Sequence, residues 1–243
     1  MPKSAYKRVI LKVSGEALGK STEVLASQEI SRIAKEIAAV AKLGVQVGVV
    51  VGGGNIFRGR EAKDIGLAQV VGHQMGMLAT IINGLALQNV LENMKIDTRL
   101  MSAIEVNEFC EPYRLRRAIR HLEKGRIVIF AAGTGNTFFT TDSAAALRAI
   151  ELGADVLLKA TNVDGAYDSD PRTNKKAKKF AVLNYQDALE KNLRVMDKTA
   201  FALASEESMP IIVFNLEKAG NMQRVVAGAK IGTIVNNSQT KFA

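Results

Sequence analysis

A lysine near the end of an apolar run is the first residue that suggests chemistry. RVILKVSG, residues 8–15, places Lys12 where a charge is costly unless it faces an anion. The competing reading is a strand-end lysine that snorkels to solvent. Arg58, in FRG at 57–59, follows a glycine run and offers a planar guanidinium that matches phosphate oxygens. Two such cations suit a phosphoryl group in transfer, because that reaction is catalysed mainly by positioning and electrostatic stabilisation.

Other segments could add to such a site. GEALGKS at 15–21 looks like a phosphate-binding P-loop, but it has three residues between its glycines where that motif needs four. The missing residue changes which backbone N–H groups point inward, so the match fails. VGGGN at 51–55 is a strand followed by glycines whose N–H groups can approach an anion without a Cβ in the way; a plain tight turn explains it equally well. GTGNTFFTTDSAA at 133–145 gathers four threonines and an asparagine before a helix, with Asp142 at the position of an N-cap. Phe138 and Phe139 read equally as core packing or as a platform beside a base. KATNVDGAYDSDP at 159–171 is either a loop with turn residues or a nucleoside pocket, with Tyr167 against the base and Asp170 near the sugar. His73 and His121 are the only histidines and lie in no metal-ligand spacing, and no Ser-His-Asp or Cys-His set emerges.

These residues need a scaffold, and the pattern supplies one. Short β-rich runs alternate with helical periods, which predicts an α/β fold with a largely parallel sheet covered on both faces. Strands are expected at 8–13, 45–51, 98–104, 126–132, 154–160, 180–185 and 210–215, with a terminal GTIV. Ile30, Ile33, Ile37 and Val40 predict a helix that ends at Gly44. A long apolar region from about 65 to 94 reads as one helix; others are expected after 114, from 142, over 185–192 and over 197–208. The Gly-rich and polar clusters all follow strands: Ser14-Gly15, Gly52–Asn55, Gly133–Asn136, Thr161–Gly165 and Asn215. In a parallel sheet those strand ends share one edge, where ligands of open α/β folds bind.

Composition narrows the classes. The 243 residues can bury a substantial core in one domain. No run resembles a membrane span, and the start of the chain does not read as a signal peptide. One cysteine, Cys110, argues against a disulfide framework and for a reducing cytoplasm. The formal charge of +9 calls for anionic partners. RLRRAIRHLEKGR at 114–126 reads as the solvated face of an amphipathic helix and RTNKKAKKF at 172–180 as an exposed loop; neither carries the aromatic interleaving of a nucleic-acid surface.

Lys12-Val-Ser-Gly15, Gly52-Gly-Gly-Asn55, Phe57-Arg58-Gly59, Met75-Gly-Met77, Gly133-Thr-Gly-Asn136 and Lys159-Ala-Thr-Asn-Val-Asp-Gly165 occur in this order. With these motifs the chain resembles, over essentially its whole length, the bacterial uridylate kinases of the amino acid kinase family. The resemblance implies an open three-layer α/β/α sandwich forming one domain over 1–243, its N-terminal part mainly UMP site and oligomer contacts and its C-terminal part mainly ATP site. It implies transfer of the ATP γ-phosphate to UMP, with Mg2+ held mainly through ATP phosphates and no metal ligands of the protein's own. It further implies a cytoplasmic homohexamer with UTP feedback inhibition. By the same resemblance Lys12, Arg58 and Asp197 are the catalytic residues. Lys12, Val13, Ser14, Gly15, Gly54, Arg58, Thr161, Asn162, Tyr167 and Asp170 are those of the ATP site. Gly53, His73, Thr134, Gly135, Asn136, Thr137, Phe138, Phe139, Thr140 and Thr141 are those of the UMP site.

Two departures from that family stand out. His73 occupies the place where that family usually has an aspartate that holds the UMP ribose, so altered UMP affinity with retained activity is expected; the competing reading is a histidine moved aside, its neighbours carrying the sugar. GKSTEVLAS at 19–27 lacks a glycine-rich segment tied to GTP activation, so any GTP response is expected to differ. Two other readings compete: a nucleic-acid-binding regulator on the same fold, and a kinase for another small acceptor.

Overall fold

The computed structural model describes residues 4–193 and 195–243. Its strands are β1 (Arg8–Val13), β2 (Gln46–Val51), β3 (Thr98–Ser102), β4 (Glu111–Pro112), β5 (Ile127–Ala131), β6 (Val156–Thr161), β7 (Phe180–Asn184), β8 (Ile211–Asn215), β9 (Thr233–Asn236) and β10 (Lys241–Phe242). Its α-helices are α1 (Ser27–Ala41), α2 (Gln69–Asn93), α3 (Leu115–Glu123), α4 (Thr141–Glu151), α5 (Tyr185–Glu190), α6 (Lys198–Glu206) and α7 (Asn221–Val226). The strands form one sheet in the order β10-β7-β9-β8-β6-β1-β2-β5-β3-β4. From β8 to β4 every neighbouring pair is parallel, and the direction reverses between β8 and β9 and again between β7 and β10.

Alternation along the strands builds two cores. Val9, Leu11 and Val13 of β1 pack with α1, α2 and α7 on one face. Ile10 of β1, Leu157 of β6 and Val213 of β8 pack with α3, α4, α5 and α6 on the other. This is the open three-layer α/β/α arrangement. Each buried Val, Leu or Ile is worth about 1.5–3 kcal/mol over an exposed one. A one-residue slip would turn every one of them to the wrong face, so the register of β1 is firmly set. Asp155, just before β6, reinforces it by accepting the Lys7 and Arg8 N–H groups at 2.6 and 2.9 Å.

The helices follow the expected periods with some differences. α1 buries Ile30, Ile33, Ile37 and Val40, and Gly44 takes the left-handed turn (φ 78°) that lets the chain enter β2. The long helix read from about 65 to 94 is α2, beginning at Gln69; a 3-10 helix, Gly59–Ile65, precedes it, and Gly66 at φ 75° separates the two. α2 has the length and mean hydropathy of a membrane span, yet it packs on α1 and β3 and buries Ile81, Leu87 and Leu91 in the core. β4 and β10, two residues each, are too short to leave a period in the sequence.

Candidate active site

β1 and β6 are parallel neighbours, and Lys12 and Lys159 are partners in their register. Ile10 and Leu157, two residues earlier on each strand, lie under α4, so the strand period of two places both lysines on that face. Two ammonium groups side by side repel, and the first turn of α4 supplies the counter-charge. Asp142 Oδ1 lies 2.8 Å from Lys12 Nζ, as an ion pair without hydrogen-bond direction, while Oδ2 accepts a hydrogen bond from Lys159 Nζ. Burial alone would raise the Asp142 carboxyl, but the charges of Lys12 and Lys159 outweigh it and hold it below the usual aspartate value. Burial pulls the Lys159 ammonium below the usual lysine value; Asp142 opposes that shift and Lys12 adds to it.

The N-cap reading of Asp142 is therefore wrong. The cap of α4 is Thr140, whose Oγ1 accepts the N–H groups of Asp142 and Ser143 at 3.0 and 3.3 Å. Thr140 also donates to Asp197 Oδ2. Expected in the UMP site, Thr140 has its only O–H committed to Asp197 in this geometry. Asp197, expected as a catalytic carboxylate, is itself the N-cap of α6 and accepts from Ala200 N–H at 2.9 Å.

The loops after β1 and β2 meet backbone to backbone. A Cβ on Gly15 would stand 2.7 Å from Gly54 N and 2.8 Å from Gly52 O, and one on Gly52 would stand 2.7 Å from Gly15 N. Glycine is required at both places by close approach. Asn83 of α2 locks the junction, donating to Gly52 O at 2.7 Å and exchanging amide hydrogen bonds with Asn55. Arg58 lies beside this junction. Its Nε donates to Gly54 O at 3.2 Å, and its Nη2 pairs with Glu16 from the 3-10 turn after Ser14.

Farther along the same sheet edge, Gly53 packs on α2, where its Cβ would stand 2.8 Å from Gly76 O. His73 of α2 stacks at 4.9 Å, tilted 52°, against Phe138. The His73 Nε2 is buried and has no partner among the described residues. Phe138 is held at φ 69°, within a loop where Ala132, Gly133 and Gly135 are also left-handed. Phe138 and Phe139 are exposed, which removes the core-packing reading for both. Thr134 Oγ1 accepts Asn136 N–H at 3.2 Å and shapes the turn between them. Thr137 and Thr141 complete this segment, Thr141 as the first residue of α4.

Three cavities open beside the lysines; one of about 620 Å³ has Asp142, Lys159 and Asp197 in its wall, and the other two reach residues expected for the ATP site. The first of these two, about 690 Å³, has Lys12, Ser14, Lys159, Thr161 and Asn162 in its walls. The second, about 570 Å³, shares Lys159, Thr161 and Asn162 with the first and reaches Tyr167 and Asp170. The residues of β1 and β6 expected for the ATP site are thus brought together, with Tyr167 and Asp170 at the far end. Tyr167 donates to Asp164, which pushes its own hydroxyl up to about 12. Asp170 is engaged by Arg172 at 3.1 and 3.2 Å. Val13 departs from expectation: its side chain is fully buried in the core under α1, so only its backbone can face a ligand. Arg58 and the residues expected for the UMP site lie outside both of these cavity walls, on the β2 and β5 side of the edge. Among the described residues, no three His, Cys, Asp or Glu side chains gather as a metal site.

The model of the amino acid kinase family matches residues 7–215. The chain belongs to the amino acid kinase family. Within that family, it is 52% identical over 240 residues to the uridylate kinase of Psychromonas ingrahamii, covering 98% of this chain and 96% of that one. The UMP kinase of Bacillus anthracis superposes with a TM-score of 0.95 at 42% identity, covering 98% and 99% of the two chains. The UMP kinase of Ureaplasma parvum does so at 0.90 and 38%, covering 97% and 100%. Reading the sequence as an amino acid kinase left three residues of this centre unassigned: Lys159, Asp142 as a shared carboxylate, and Ser143, which donates to Asp197 at 3.0 Å. A signal for the first was present, because VILKVSG and VLLKATN put a lysine at the same place before a strand end.

Proposed function

We propose that the chain is an ATP-dependent UMP kinase that transfers the ATP γ-phosphate to the phosphate of UMP, giving UDP and ADP. The observation that carries this reading is the register pair Lys12 and Lys159 around Asp142, placed in the wall of a 690 Å³ cavity at the sheet edge. The 52% identity to a uridylate kinase fixes the acceptor.

The residues perform the reaction by holding charge in place. ATP lies along the walls shared by the 690 and 570 Å³ cavities, its phosphates toward Lys12, Lys159 and the N–H groups of Ser14 and Gly15. UMP occupies the side of Gly53, His73 and the 134–141 segment. A UMP phosphate oxygen forms the new bond to Pγ as the bond from Pγ to the β,γ-bridging oxygen breaks, and the leaving electron pair stays on ADP. The lysines face the charge that moves, and Asp142 keeps both of them in position. Each well-placed donor in such a site is worth about 3–4 kcal/mol in the transition state. The attacking phosphate is already ionised, so no general base is needed, and Asp197, saturated with donors, is not arranged as one.

The finer reading extends this proposal. Magnesium would arrive on the ATP phosphates and neutralise their oxygens, since Asp142 and Asp197 are engaged by lysines and hydroxyls. One domain over 1–243 would work as a cytoplasmic homohexamer in pyrimidine nucleotide synthesis. Self-association is supported by a stripe on α2, Val71, Leu78, Ile82 and Leu85, that stays exposed at helical spacing. UTP inhibition follows the resemblance, and a GTP response would differ because residues 20–23 form only a tight turn. The experiment offers UMP, CMP, dTMP and AMP separately with ATP and magnesium and follows diphosphate product. Selective UDP formation is expected. A folded, ATP-binding protein that makes no UDP would overturn the reading.

A further inference from the structure

We propose that Thr140 and Ser143 are positioning residues for phosphoryl transfer, pinning the first turn of α4 to Asp197 and thereby holding Asp142 between Lys12 and Lys159. The inference rests on the kinase reading above. Thr140 donates to Asp197 Oδ2 while its lone pairs take the Asp142 and Ser143 N–H groups. Ser143, 3% exposed, donates to the same carboxylate, at 3.0 Å from Oδ1 and 3.1 Å from Oδ2. Asp197 is fixed from its other side by Ala200 N–H at the start of α6. Both its oxygens are satisfied and two helix N-termini converge on it, which makes it an anchor.

The geometry of the turn carries the coupling. Thr140 and Ser143 are three residues apart, on the side of α4 that meets α6. Asp142, between them, projects instead to the sheet and the lysines. Its backbone N–H is tied to Thr140, so the placement of the turn sets the placement of the carboxylate. A displacement of about 1 Å at a catalytic group can cost on the order of 100-fold in rate. Asp197 therefore reaches the lysines through two hydroxyls and one turn of helix.

The test compares Ser143→Ala, Asp197→Asn and the double variant, with Thr140→Val and Thr140→Ser alongside. Ser143→Ala and Thr140→Val are each expected to lower kcat roughly tenfold, Ser143→Ala with KM for ATP and UMP changed less than about twofold. Thr140→Ser, which keeps the hydroxyl, should restore most of the lost rate. The double variant should be no slower than Asp197→Asn alone, since groups acting as one unit are not additive. Thermal unfolding of each variant separates a lost fold from a misplaced turn. With a wild type that turns over UMP, additive losses in the double variant, or a Ser143→Ala loss carried by KM for UMP, would overturn the inference while leaving the kinase reading intact. A wild type that makes no UDP overturns both.

Discussion

Lys12 and Lys159 stand opposite each other in the register of β1 and β6 and share the single carboxylate of Asp142. Neither lysine is free to move independently, because each is rooted in a strand buried on both faces of the sheet. The cations are therefore fixed before any nucleotide arrives, which is the condition for electrostatic stabilisation without reorganisation.

Replacing Lys159 by methionine keeps the length and removes the charge. The expected result is a loss of about 100- to 1000-fold in kcat, with the fold retained. Steady-state UDP formation and circular dichroism check it. A change below threefold would remove Lys159 from the centre.

The rate should fall on the alkaline side before ordinary lysines titrate. Burial lowers Lys159 below the usual value of about 10.4, so its cation is lost earlier as pH rises. Asp142 opposes that shift, and Asp142→Asn should therefore move the alkaline limb of kcat to still lower pH. A pH–rate profile with the same limb in both proteins would contradict the coupling.

Acid should weaken the fold through Asp142. Its folded-state pKa lies below the unfolded value near 3.9, so the unfolded chain binds the extra proton between the two. The stabilisation is complete above the unfolded value and is lost as pH falls through the folded one. Urea unfolding should show the wild type and Asp142→Asn differing at pH 7 and converging as pH drops below 4.

His73 is predicted to set the affinity for UMP. Its ring lies against Phe138, and its buried Nε2 has no partner among the described residues, so it is open to a ligand hydroxyl. His73→Asp should alter the UMP KM and leave turnover in place. An unchanged KM would refute this.

Gly15→Ala should damage the donor side specifically. The new Cβ would meet backbone atoms of Gly52 and Gly54 that cannot rotate away. A stability loss of about 1–3 kcal/mol is expected, together with weakened ATP binding. Thermal unfolding and nucleotide titration measure the two effects.

Much of this was legible in the sequence because the fold obeys its periods. β1, β2, β5, β6 and β8 are apolar runs, and the polar clusters after them gather at one sheet edge as parallel order requires. What stayed hidden depends on partners far apart in the chain. Asp142 reads locally as a cap, and only the docking of α4 over β1 and β6 shows that Thr140 caps while Asp142 faces lysines. Val13 reads as part of a phosphate loop, but strand alternation sends its side chain into the opposite core. Phe138 is exposed and holds a left-handed backbone, which no propensity announces for a phenylalanine.

The strand order has a consequence for how the protein comes into being. β1 is synthesised first, yet it lies between β2 and β6, and β6 is built more than a hundred residues later. Until β6 leaves the ribosome, β1 has one apolar edge without a neighbour, a surface that invites wrong pairing. Lys12 meanwhile lacks both Asp142 and Lys159. A nascent chain that ends before β6 therefore lacks the assembled lysine pair, and the long-range pairing makes folding slow relative to a fold built from local contacts. The two lysines meet only once β6 has docked beside a strand made more than a hundred residues before it.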